Sequence, residues 1–128
     1  MKLFKFILIA ALLLAASMTL TAASLQVSHQ ARSLAQGEAV LLEVNSDIPL
    51  DRVSAEVFDK EFPLFAEGDG TSWQGIVAID LACRPGSHDV QVKGWKGKAG
   101  PPAGEQGYTL EVEGKEFAER RLTVDRKY

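Results

Sequence analysis

The chain has 128 residues, with 14 basic and 17 acidic side chains, 46% hydrophobic residues and one cysteine. That is the length of one ordinary domain. The acidic balance argues against nucleic acid as a partner, because phosphates want a basic surface, and a lone thiol excludes an internal disulfide, so packing alone must hold the core.

The first residues carry Lys2 and Lys5, then an almost wholly apolar run from Phe4 to Leu14, then the small residues Thr21-Ala22-Ala23. This order predicts a helical secretory signal peptide over residues 1–23. Its apolar part is shorter than the ~20 residues that a spanning helix needs, and no cysteine follows the predicted cut to carry a lipid. The membrane therefore enters only during export, and the periplasm or cell envelope is the expected compartment. Residues 24–128 carry a formal net charge of −5.

Strand side chains alternate between two faces, and that alternation recurs along the rest of the chain. Leu25 to His29 reads as an edge strand, with His29 on the surface. Ala31 to Gln36 is ambiguous, and Gly37-Glu38 marks a turn. Ala39 to Asn45 is a strand with Val40, Leu42 and Val44 on one face. Arg52 to Phe58 alternates most cleanly: Val53, Ala55 and Val57 point inward, and Arg52, Ser54 and Glu56 point to water. Asp59-Lys60 reads as a tight turn into Glu61 to Phe65, where Pro63 cannot donate to a ladder and so belongs on an edge.

Glu67-Gly68-Asp69-Gly70 is a turn, because Gly and Asp tolerate positive φ. Trp73 to Leu81 follows, with Trp73, Gly75, Val77, Ile79 and Leu81 on one face. A Pro85-Gly86 corner leads into His88 to Lys93. Gly94 to Gly107, with five glycines and Pro101-Pro102, reads as a long, mobile hairpin connection. Tyr108 to Glu113 alternates again, and Lys115 to Tyr128 is polar and extended. Seven or eight short strands separated by turns predict an all-β, immunoglobulin-like antiparallel sandwich over residues 24–114, followed by an extended segment over 115–128. A Cys…Trp…Cys pattern is absent, so the domain is not of the antibody type.

Catalysis and metal binding need convergent groups. The two histidines, His29 and His88, are far apart and begin neither an H-x-x-x-D nor an H-x-H. Cys83 and His88 lie close in sequence, but no third group to orient them is evident, and an apolar corner raises a thiol pKa rather than lowering it. Cys83 is read as a small, half-buried thiol; an intermolecular disulfide is the alternative. Glu67-Gly-Asp69-Gly70 lacks calcium-loop spacing. No catalytic, cofactor or metal residue is therefore assigned. The candidate interaction surface is Lys93, Trp95, Lys96 and Lys98, charge beside an aromatic on a loop, together with Arg120 and Arg121 near the end.

Two runs, Gly70-Thr-Ser-Trp73-Gln-Gly75-Ile-Val-Ala-Ile79-Asp80-Leu81 and Pro85-Gly86-Ser-His88-Asp-Val90-Gln-Val92, resemble the immunoglobulin-like N-terminal domain of bacterial LytM/lysostaphin-type zinc metallopeptidases. The closing Phe117-Ala-Glu-Arg120-Arg121-Leu122-Thr123-Val124-Asp125 and the early Ala31-Arg32-Ser-Leu34-Ala-Gln-Gly37-Glu38 extend the likeness. The family has a tyrosine where this chain has His88, and its zinc motifs have no counterpart here. The resemblance implies a non-catalytic accessory domain that positions or recruits an envelope peptidase, or binds peptidoglycan. Two other readings stand beside it: a truncated remnant of a peptidoglycan endopeptidase, and a structural or adhesin-type module that associates through exposed strand edges.

Overall fold

A computed structural model describes residues 3 and 22–117. Nearly all of the predicted signal peptide, and Arg120 and Arg121 with the rest of the tail, lie outside the described residues. Within them the chain is all-β. Seven strands follow in order: β1 (Leu25–Gln30), β2 (Ala39–Ser46), β3 (Arg52–Val57), β4 (Lys60–Glu67), β5 (Ser72–Ala78), β6 (Gly86–Trp95) and β7 (Gly104–Val112). They form one antiparallel sheet in the order β1-β2-β5-β4-β3-β6-β7.

That sheet nearly closes on itself. The Ala23 N–H donates to the Ala103 carbonyl at 2.8 Å, and the Glu113 N–H donates to the Leu34 carbonyl at 2.7 Å. Between them His29 Nδ1 is hydrogen-bonded to the Tyr108 hydroxyl, so β1 and β7 meet through side chains where a ladder would otherwise run. His29 is thus half-buried at the seam rather than on the outer surface. Ala23, which the predicted boundary assigns to the signal peptide, is buried against Gly104.

The inward alternation of the sequence builds the core. Val40, Leu42, Val44, Val53, Ala55, Val77, Val90, Val92 and Leu110 are essentially inaccessible. Trp73 closes one end, and its indole N–H donates to the Gly70 carbonyl at 2.7 Å, so the one polar atom of the ring is satisfied. No buried side-chain nitrogen or oxygen among the described residues lacks a partner.

β4 holds the arrangement together. Its first half pairs with β3, from Val57↔Lys60 to Val53↔Leu64, and its last three residues pair with β5, from Phe65↔Gln74 to Glu67↔Ser72. The strand changes neighbours at Leu64 and Phe65, passing over Gly75. A Cβ at Gly75 would lie 2.9 Å from the Pro63 carbonyl oxygen and 3.3 Å from the Leu64 Cα, so only glycine allows the crossing. Pro63 faces Ser54 within the half of β4 that has a ladder on one side only, which is the edge position its missing N–H requires.

Several boundaries differ from those expected. β5 stops at Ala78, and Ile79 stays in the core through backbone bonds to Gly37 and Glu38. Leu81, expected on the inward face, is 63% exposed, because the chain has already turned: the Asp80 carboxylate accepts from the Ala82 N–H and its carbonyl from the Cys83 N–H. The tight turn falls one residue early, at Phe58-Asp59, both with positive φ. Ser54 is buried although it points outward, since Pro63 and Lys93 flank it in mid-sheet. The stretch expected to be one long connection is mostly strand. Gly94 pairs with Gly104 and Gln91 with Gly107, leaving residues 96–103 to join β6 to β7.

Candidate functional site

The basic-aromatic loop is built into the sheet. Lys93 and Trp95 are on the outward face of β6, and Lys93 is half-buried between Ser54 of β3 and Glu105 of β7. The Trp95 ring is also half-buried, with the Arg52 guanidinium carbon 3.9 Å from its centroid, a cation–π contact that occupies one face of the ring. The Asp51 N–H donates to the Trp95 carbonyl, and the Gly97 N–H donates to the Asp51 carboxylate. Among the described members of that set, Lys96 and Lys98 are the exposed ones. Four of the six expected contact residues thus lie together, but the aromatic among them is already in use.

A different surface carries two of the exposed large apolar side chains. Phe65 of β4 is 67% exposed and Ile76 of β5 is 59% exposed. With Leu41, Pro63, Gln74 and Gly75 they line a groove of ≈ 380 Å³. It forms where β4 leaves β5. Beyond Gln74, β5 is bonded to β2 alone, so Gly75 to Ala78 have no strand beside them on the groove side. The sequence does hold a signal for this place. Ile76 and Phe65 fall on the polar phase of their strands, out of step with Trp73, Val77 and Leu64, where solvent-facing residues are expected.

The corner before β6 makes a second cleft, ≈ 380 Å³, lined by Phe58, Asp59, Lys60, Ala78, Asp80, Ala82, Cys83, Arg84 and His88. Here the structure joins two residues that the sequence analysis left unconnected. Cys83 Sγ lies 3.5 Å from His88 Nε2. The His88 Nε2–H donates to the Arg84 carbonyl at 2.6 Å, and the Phe58 ring meets the imidazole edge-on at 5.0 Å between centroids. Burial, and then the nearby Asp80 carboxylate, push the Cys83 thiol above its usual pKa. At neutral pH the sulfur is protonated, the wrong state for a nucleophile.

Two other acids are held in the charged form. Asp69 lies below its ordinary pKa because the Thr71 hydroxyl and amide both donate to it. Glu38 is lowered by the Arg32 guanidinium at 2.6 Å, with Lys115 adding at 3.8 Å. Both are turn and surface locks, far from either cleft in role. Among the described residues no three His, Cys, Asp or Glu side chains converge on a point that could hold a metal ion. Comparison with protein-family models, with curated proteins and with solved structures finds no match to this chain.

Proposed function

We propose that this chain is an exported, immunoglobulin-like accessory domain of the kind found ahead of LytM-type zinc peptidases, and that it acts by binding an extended segment of an envelope peptidase. The strand order supports the immunoglobulin-like part. Reading along the sheet, β1-β2-β5-β4 followed by β3-β6-β7 is the order A-B-E-D followed by C-F-G of such domains, with the β3–β4 hairpin joining the two halves. The observation that carries the binding role is the groove of Phe65, Ile76, Leu41 and Pro63 beside the unpaired stretch of β5. A polypeptide can satisfy both features at once, adding backbone hydrogen bonds at the strand edge and apolar side chains in the groove. A glycan offers no backbone ladder to such an edge.

The test is co-purification of the tagged chain with envelope proteins, followed by identification of what is retained, with sacculi run alongside. Recovery of a zinc peptidase by the native chain, lost in a Phe65→Ser/Ile76→Ser double variant that melts normally, supports the reading. Retention on sacculi alone, or undiminished capture by the double variant, contradicts it.

A further inference from the structure

The end of the fold where β6 turns back into β7 gathers four cations. Arg52 pairs with Trp95 across the β3–β6 ladder, Lys93 lies two residues before Trp95, and Lys96 and Lys98 follow it. None of the four is ion-paired among the described residues. The acids beside them are Asp51 and Glu105. The Asp51 carboxylate accepts from the Gly97 N–H at 2.5 Å, and Glu105 pairs with Lys93 in the ladder without a salt bridge. Asp47 and Asp69, in the turns of the same end, accept from the Ser24 and Thr71 amides. From Lys96 to Ala103 the sequence holds no acid. The patch is a local reversal of charge in a stretch, residues 24–128, whose formal net charge is −5.

The start of the chain enters the fold at this same end. The Ala23 N–H donates to the Ala103 carbonyl at 2.8 Å. Gly104 packs so closely that a Cβ there would lie 2.5 Å from the Ala23 carbonyl oxygen. The apolar run Phe4 to Leu14 is therefore joined to the domain beside the base of the lysine loop. We propose that this end is a membrane-contact surface, on which Arg52, Lys93, Lys96 and Lys98 meet the phosphates of anionic lipid headgroups.

The chemistry of the patch fits that partner. Lys and Arg next to an anionic bilayer are drawn to it, and tryptophan favours the headgroup level, where one side of the ring is apolar and the other wet. The Arg52 guanidinium carbon stacks 3.9 Å from the Trp95 centroid, so one surface presents charge and aromatic together. A cavity of ≈ 520 Å³ lined by Asp51, Arg52, Gly97 and Lys98 leaves room for a headgroup phosphate between two cations.

Tethering favours a bilayer over a soluble polyanion. The residues from Leu14 to Ala23 span at most ~30 Å when extended, so a seated apolar run keeps the patch near the surface and lets weak contacts add. The corner at residues 82–86 lies at the other end of β6, ~30 Å away along the strand. The sequence predicts membrane contact during export alone; the patch extends it to the folded domain. It does not use the groove beside β5.

The experiment is NMR of the full chain in bicelles with and without phosphatidylglycerol, with gadolinium chelated to a lipid headgroup as the relaxation probe. With phosphatidylglycerol, amides of residues 51–52 and 95–98 should broaden, and those of residues 82–86 should not. Lys96→Gln/Lys98→Gln changes two exposed side chains and should keep the native urea midpoint. It should shift the docking equilibrium ~30-fold away from the bilayer, and raised salt should act in the same direction. The variant retains the apolar run, so seating of that run and docking of the patch are read separately. Broadening that is absent, equal at both ends, equal without phosphatidylglycerol or undiminished in the double variant overturns the proposal. Equal perturbation of the same amides by soluble glycerophosphoglycerol, at the same phosphate concentration, also overturns it, because the ligand would then be a free phosphodiester.

Discussion

Replacing Gly75 with alanine probes the point on which the sheet turns. A methyl group there meets the Pro63 carbonyl oxygen at 2.9 Å, Leu64 Cγ at 3.1 Å and Leu64 Cα at 3.3 Å. Two of those three atoms are backbone. β4 cannot retreat from them, because Leu64 is paired with Val53 on one side and Phe65 with Gln74 on the other. Overpacking of this kind costs about 1–3 kcal/mol. Alanine recovers about 0.5–1 kcal/mol by restricting the unfolded chain and favouring the strand. The net loss is about 1.5 kcal/mol, which lowers the urea midpoint by about 1 M for a domain of this size. Gly107→Ala is the matched control. Its new methyl meets only the Gln91 side-chain oxygen at 3.9 Å, so its midpoint should rise slightly. Urea denaturation followed by tryptophan fluorescence reads both. A Gly75→Ala midpoint equal to or above that of the native chain would mean that β4 does not cross at this position.

Other perturbations test other parts of the structure. Leu42→Ala empties a fully buried site and should cost about 2–5 kcal/mol in the same denaturation assay. Trp73→Phe keeps most of the apolar volume and removes the 2.7 Å bond to the Gly70 carbonyl, which still accepts from the Leu50 N–H, a loss of about 0.5–1.5 kcal/mol, visible as a lower thermal midpoint. Glu38, Asp69 and Asp80 all have folded pKa values below their ordinary 4.5, 3.8 and 3.8. A depressed carboxyl contributes its full stabilisation above the unfolded pKa and loses it as pH falls through the folded one. Melting temperature should therefore be flat near neutrality and drop below about pH 4.5, with a shallower drop in Glu38→Gln. The raised pKa of Cys83 predicts slower alkylation by iodoacetamide at pH 8 than a free thiol shows; a rate equal to or above the free thiol's would contradict the burial assigned to it.

What the sequence made legible was the local, periodic part of the fold. The inward sets Val40-Leu42-Val44, Val53-Ala55-Val57 and Val90-Val92 follow from alternation alone, and all are buried. Elements whose outcome depends on a distant partner were harder to place. Gly94, Gly104 and Gly107 look like loop residues in a window of neighbours, yet they sit in a ladder, because Leu50 and Ala23 press against Gly94 and Gly104 from elsewhere in the chain and leave no room for a side chain. Phe58 has no turn propensity, yet it takes a left-handed backbone and packs its ring against His88, 30 positions away. Of the expected contact residues, Lys93 and Trp95 belong to β6 rather than to a loop, and Arg52, contributed by another strand, covers Trp95. Phe65 and Ile76, apolar on a polar phase, mark the place of one cleft but not its shape, which β4 builds by changing neighbours, and a non-repeating corner builds the other.

The most direct test of the proposed binding role is amide hydrogen exchange on the chain with and without the peptidase recovered by co-purification. Those backbone amides of Gly75 to Ala78 that point away from β2 should gain protection in the complex, while those of residues 96–103 exchange as before. Protection confined to residues 96–103, or none at the open stretch of β5, would place the contact elsewhere and contradict the account.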